Sequence, residues 1–197
     1  MKKYIVVCIM LFGMLCLSLK NSEKDVEVCA KIDTFESLDD VKKEADLVVL
    51  GTKISEKEPT IKYQNDMILY AYTLSDFQIA EVLDDKEKKR KVYDEIKILE
   101  NEFYDSEDNV NYHIAGYNKM KVGKQYLLYL SYSEENGWYI PVGVVAGKIP
   151  LEKNEKNVFS NDEVINEEVS NIKYEVEEKY DTTQLKKKAK GVYRKAK

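Results

Sequence analysis

The chain has 197 residues, with 31 basic side chains against 36 acidic ones and a net charge of −5 at pH 7. That length is enough for one domain of ordinary size with a real core. The acidic balance removes any general attraction for nucleic acid, which is not expected as a partner.

Residues 1–19 carry the clearest pattern. Lys2 and Lys3 precede an apolar run from Tyr4 to Leu19, which stops at Lys20 and the polar Asn21-Ser22-Glu23-Lys24-Asp25. A short positive head and an apolar core mark a signal peptide or a single membrane anchor. The run is about 16 residues, roughly 24 Å as a helix at 1.5 Å per residue, just short of the ~20 that span a bilayer. No small-x-small triplet follows it, so the usual cleavage signature is missing. Around Cys16 a lipidation site would be the wrong way round, with Leu15 before the cysteine and Gly13 three before it. A cleaved signal, a retained anchor and a lipoprotein-like start are the alternatives. Each puts the body of the protein on the extracytoplasmic side, secreted or held at the outer face of a membrane.

Only Lys2 and Lys3 are charged within residues 1–19, so 29 basic side chains face 36 acidic ones beyond them, a net of −7. Of Cys8, Cys16 and Cys29, the body keeps Cys29 alone, which excludes an intramolecular disulfide framework there. His113 is the sole histidine, so a His/Cys zinc site is excluded, and no D-x-D-x-D-G calcium loop occurs. Neither cofactor nor metal is expected.

Residues 20–35 are polar and irregular and read as a tether. Ser37, three before Asp40, resembles a capping box and opens a short helix with Leu38, Val41 and Ala45 on one face. Leu47–Leu50 is a buried strand, with Gly51 as a bulge or a close backbone approach. From Met67 to Leu83 the apolar positions change parity: Tyr70, Tyr72 and Leu74 share one, Phe77 and Ile79 the other. A bulge or bend near Ser75-Asp76 would reconcile them, as at the corners of small barrels. The charged run Asp84–Lys91 is a solvated hairpin loop. Val92, Ile96 and Ile98 mark the next strand; Tyr112, Ile114 and Gly116 mark a weak one. Gln125–Tyr132 is apolar on both faces and is expected at the barrel's centre. Glu134-Glu135-Asn136-Gly137 is a turn, from which Trp138, Ile140, Val142 and Val144 return, with Ala146-Gly147 and Pro150 closing the region. Beyond Leu151, Ser160 and Glu163 predict a capping box, and Ile165, Val169, Ile172 and Val176 form one helical stripe. Asp181-Thr182-Thr183 restarts the chain into a basic tail, Lys186–Lys197. With its weak stripe of Leu185, Ala189 and Val192, that tail reads as a frayed end, an interfacial helix or a partner of the acidic helix before it.

Tyrosine is the suggestive excess. Tyr63, Tyr70, Tyr72, Tyr126, Tyr129, Tyr132 and Tyr139 could build an aromatic face for a sugar or a peptide; equally, tyrosine simply fills half-buried strand positions. Tyr70, Tyr72, Tyr129, Trp138 and Tyr139 are the candidate binding surface. Adjacent carboxylates such as Asp39/Asp40, Asp84/Asp85 and Glu167/Glu168 read as solvated surface rather than a catalytic pair held across a cleft. G-x-S-x-G elbows and phosphate loops are absent.

Ser37-Leu38 through Ala45-Asp46-Leu47-Val48-Val49-Leu50-Gly51 resembles the start of a group of small exported proteins of low-GC Gram-positive bacteria. The wealth of Lys, Glu, Asn, Ile and Tyr fits such an AT-rich source. Phe77–Leu83 and Gly123–Leu130 are similar to later blocks of the same group, and the order resembles netrin modules and tissue inhibitors of metalloproteinases. The resemblance covers about residues 37–150 and implies an OB-type five-stranded barrel. Those inhibitors chelate zinc with a mature N-terminal Cys-x-Cys; here Cys29-Ala30-Lys31 has no second cysteine.

The expectation is an α+β, mainly β protein: a five- to six-stranded OB-like antiparallel barrel over residues 36–151, with a short N-terminal helix and a helical C-terminal extension, 152–197. Its expected role is non-catalytic binding of a protein or glycan at the cell surface, with the membrane touched through residues 1–19 if they are uncleaved. The alternatives are an inhibitor of an extracellular protease and a carboxylate-based hydrolase.

Overall fold

A computed structural model describes residues 23–196; the signal-or-anchor assignment of residues 1–19 lies outside the described residues. The described residues form ten strands and three helices, the last two helices C-terminal. The fold is α+β and mainly β. No helix among them is long and apolar enough to cross a membrane.

Part of the expected tether is a strand, β1 (Lys24–Val28). Helix α1 (Leu38–Glu44) starts as expected: Ser37 Oγ accepts from the Asp40 N–H at 3.3 Å and donates to Asp40 Oδ2 at 2.6 Å. There follow β2 (Leu47–Glu56), β3 (Thr60–Gln64), β4 (Met67–Asp85), β5 (Glu95–Glu100), β6 (Glu102–Asp105) and β7 (Val110–Ile114). β8 (Gln125–Ser133), β9 (Trp138–Pro141) and β10 (Lys148–Pro150) complete the strands before α2 (Glu163–Lys179) and α3 (Thr182–Ala196).

Five strands close a ring in the order β2-β4-β5-β9-β8 and back to β2, an OB-like barrel. Four junctions are antiparallel; β5 and β9 run parallel at Ile98 and Tyr139, which corrects the all-antiparallel expectation. The ring closes on a core that includes Leu47, Val49, Phe77, Ile79, Ile98, Leu128, Leu130 and Tyr139. Alternate residues Val48, Leu50, Leu127 and Tyr129 point the other way, into a second core with Leu38 and Val41 of α1, Ile172 and Val176 of α2 and Ala189 of α3. Both faces of β2 and β8 are therefore buried, which is why those strands read as unbroken apolar runs. Gly51 is a site of close approach: a Cβ there would lie 2.2 Å from the Gln78 carbonyl oxygen and 2.4 Å from Phe77 Cε1.

An irregularity does fall near Ser75-Asp76, opposite Asp76 and Phe77, but its extra residue is on β2, and two further shifts lie along the pair. Register shifts fall between Val48/Val49 and Leu50/Gly51, where β4 has the extra residue, and between Lys53/Ser55, where β2 has it. Ala71, Thr73, Ser75 and Phe77 are all buried, so β4 keeps one inward parity over this stretch. Its inward residues there are small or polar, and the larger Tyr70, Tyr72 and Leu74 are the outward set. Strand β9 also ends earlier than expected, at Pro141; Val142 and Val144 belong to a turn, with Val144 at φ +63°.

The helical extension differs in its cap. Asp162, not Ser160, caps α2, its carboxylate accepting from the Val164 and Ile165 N–H groups. Ser160 Oγ instead donates to Glu27 Oε1 at 2.6 Å, tying β1 to the approach of α2. The basic tail is α3, and its stripe of Leu185, Ala189 and Val192 packs on the second core. β1 lies parallel to β7, which pairs antiparallel with β6, making a separate three-stranded sheet.

Candidate functional site

Strand β4 is longer than the barrel needs. Its pairing with β5 begins at Thr73 and with β2 at Ser75, so Met67–Tyr72 stand off the ring and pair with β3. Asn65 and Asp66 join the two strands with φ of 51° and 59°, the left-handed pair that suits a two-residue hairpin. This hairpin was not expected from sequence, although Asn-Asp between two strand-forming runs is its signal.

Tyr70 and Tyr72 share one face of the hairpin, ring centroids 6.3 Å apart and nearly parallel. Trp138, the first residue of β9, extends the row, its ring 5.3 Å from Tyr72. Lys62, paired across the hairpin with Tyr70, holds its ammonium 5.7 Å from that ring's centre. Tyr70 is 47% exposed, and Tyr72 and Trp138 are half-buried. Two bonds fix the hairpin: Tyr63 OH donates to Asp105 Oδ2, and Thr73 Oγ1 to the Glu102 carbonyl at 2.7 Å. The Asp105 carboxylate pushes the Tyr63 phenol up to about 12.

Three of the five candidate residues thus come together, and two do not. Tyr129 is 1% exposed in the core beneath the helices, and Tyr139 is 5% exposed inside the barrel, its OH accepting from Arg90 Nε at 3.0 Å. Tyr126 is also internal, its OH donating to Glu155 and accepting from the Lys121 N–H. Of the paired carboxylates, Asp85 accepts from Glu87, Lys89 and Arg90 N–H groups in the charged loop and Glu168 from the Phe35 N–H, while Asp39, Asp40 and Asp84 pair with Lys179, Lys43 and Lys42.

A polar constellation that sequence reasoning did not find surrounds His113. A cleft of about 500 Å³ opens on it, and its ring stacks on Phe159 with centroids 4.2 Å apart. Nε2 lies 3.0 Å from Asp25 Oδ1; Nδ1 lies 2.9 Å from the Tyr117 carbonyl and 3.3 Å from Glu102 Oε2. Burial pushes the imidazole down, but the hydrogen bonds to Glu102 and Asp25 outweigh it and raise the pKa to about 9. His113 is therefore an imidazolium at neutral pH, with both N–H groups directed at oxygens. It holds β1 against β7.

Deeper in, Lys53 and Glu100 form a fully buried ion pair at 2.8 Å. Glu100 also accepts from Ser75 Oγ, Tyr117 OH and the Met120 N–H, so both its oxygens are used. Lys148 is buried over the Tyr117 ring, donating to the Asn118 and Asn157 carbonyls, and burial lowers its pKa to about 8. No cluster of three His, Cys, Asp or Glu side chains suited to a metal ion occurs among the described residues. Cys29 is exposed and follows β1 directly.

No protein-family model matches the chain, and no curated protein matches it.

Proposed function

We propose that the protein is a non-catalytic binding protein of the extracytoplasmic side, which holds a protein or glycan partner against the outer aromatic row of β4 and β9. The observation that carries this is the contact of Tyr70, Tyr72 and Trp138 on a half-open strand face. Tyrosine and tryptophan offer large contact area for little lost entropy, with polar tips for hydrogen bonds. The bonds from Tyr63 and Thr73 hold the rings in place before any partner arrives, which lowers the ordering cost of binding. The export-type start of the sequence supports the location.

Trp138 is the only tryptophan, so its fluorescence reports on this site. The purified protein is titrated with solubilised cell-wall glycan fragments and, separately, with fractionated cell-surface proteins. A saturable change in Trp138 emission with one of the two is expected. The Tyr70→Ser, Tyr72→Ser variant, with an unchanged thermal transition, weakens that binding at least about tenfold, or ~1.4 kcal/mol. Equal responses from protein and variant, or turnover of the added glycan, would count against the proposal.

A further inference from the structure

A second surface has a charge opposite to that of the molecule as a whole. Lys121 and Lys124 precede β8, Lys153 and Lys156 follow β10, Lys186 comes from α3 and Lys119 from the segment after β7. They line two adjoining clefts of about 420 and 500 Å³, which share Lys121 and Asn154. With the protonated His113, these six lysines outnumber the carboxylates in the same lining: Asp25, Glu102, Glu152 and Glu155. Those carboxylates are already engaged. Asp25 and Glu102 face His113, and Glu155 accepts from Tyr126. Glu152 is shared by Lys186 at 2.5 Å, Lys124 at 3.7 Å and Lys190 at 3.8 Å. Lys121, Lys153 and Lys156 are exposed and make no ion pair among the described residues. Lys119 is itself paired with Glu56 at 3.1 Å, so the uncompensated positive charge of this face is carried by Lys121, Lys153 and Lys156, on a body whose net charge is −7.

Its position says what it meets. Asp25 lines the larger cleft, and the apolar run of the sequence ends at Leu19, six residues earlier. Six residues reach at most ~20 Å when fully extended. A chain held in a bilayer by residues 1–19 would therefore keep this cleft near the headgroups. The apolar stripe of α3 is buried on the barrel, so that helix contributes charge and does not insert. We propose that the lysine face docks on the anionic lipid headgroups of the membrane that holds the N-terminal segment. The inference rests on the assignment of residues 1–19 to a membrane and is independent of the aromatic row. Each lysine brought to an anionic surface favours docking by roughly fivefold.

The full chain is assembled into lipid discs of phosphatidylcholine alone and into discs containing phosphatidylglycerol, then exposed to an amine-reactive label and mapped by mass spectrometry. In phosphatidylglycerol discs the labelling of Lys121, Lys153 and Lys156 falls several-fold, while Lys62, Lys88 and Lys91 label equally in both. In the Lys121→Glu, Lys153→Glu, Lys156→Glu variant, shown to be folded by its thermal transition, the lipid-dependent protection of Lys124 and Lys186 is lost. Equal labelling in the two discs overturns the proposal. So does protection by soluble polyglycerol phosphate in phosphatidylcholine discs with none from phosphatidylglycerol, which would assign the face to a wall polymer. A chain that joins neither disc removes the membrane assignment, and the docking proposal with it.

Discussion

His113 is the residue on which the small sheet turns. It joins Asp25 of β1 to Glu102 of β6, partners 88 and 11 residues away along the chain, so no local motif announces them. Its folded pKa, about 9, lies above the ordinary 6.5, so its contribution to stability is fully present below pH 6.5 and is lost as the pH rises through about 9. Asp25 is lowered chiefly by the His113 hydrogen bond. Burial raises Glu102, but its bonds to His113 and to the Lys119 N–H hold it down. Their contributions are present above the ordinary carboxylate values and fade as the pH falls through the depressed ones. Stability should therefore be greatest from about pH 5 to 6.5 and should decline on both sides. Urea midpoints measured across pH will show an alkaline limb that His113→Gln flattens, with a loss at neutral pH on the order of 2 kcal/mol, discounted because Asp25 is half open to water. An alkaline limb unchanged in the variant would assign the decline to other groups.

Elements buried on both faces were the legible ones. Leu47–Leu50 and Gln125–Leu130 admit one reading because every position is apolar or wholly enclosed. β4 misled for the opposite reason: Ala71, Thr73 and Ser75 fill its inward positions, so the large residues Tyr70, Tyr72 and Leu74, whose parity reads as a change of phase, are the outward set of a strand that keeps one phase there. The same cause divides the candidate site. Tyr70, Tyr72 and Trp138 form a row, while Tyr129 and Tyr139, equally aromatic and equally strand-forming, lie inside because of which barrel face they occupy. β1 could not be read as a strand because its partner, β7, begins 82 residues after β1 ends and its anchors, Asp25 to His113 and Glu27 to Ser160, are polar and distant in sequence. The tail reads in sequence as a frayed end, an interfacial helix or a partner of the acidic helix; its short stripe instead packs on the second core, where three helices share one sheet face. Ala189 is fully buried there, so Ala189→Asp places a carboxylate in an apolar cluster and should cost about 3 kcal/mol or more. Limited proteolysis will then cut near Asp181 while the near-ultraviolet signal of the barrel persists. Protection equal to the parent protein would mean that α3 is not held by this seam.

At the scale of the whole molecule, two surfaces of different physics share one barrel. On the proposed readings, the aromatic row would bind by contact area and desolvation, which salt barely weakens, and the lysine face would act through charge at a distance, which salt screens. The screening length falls from about 10 Å at 0.1 M salt to about 3 Å at 1 M. Lysine side chains in shallow clefts lie within reach of that screening, and a body of net −7 is repelled by an anionic surface wherever the lysines do not face it. If the lysine face docks as proposed, charge separation within the protein would set its orientation on the membrane, and that orientation should be lost first. At 1 M salt the lipid-dependent protection of Lys121, Lys153 and Lys156 should disappear, while partner binding reported by Trp138 keeps its affinity to within about threefold. Loss of both together would show that the aromatic row is itself electrostatic, with Lys62 beside Tyr70 as its source. Survival of both would mean that the lysines are shielded by contact rather than by attraction to headgroups.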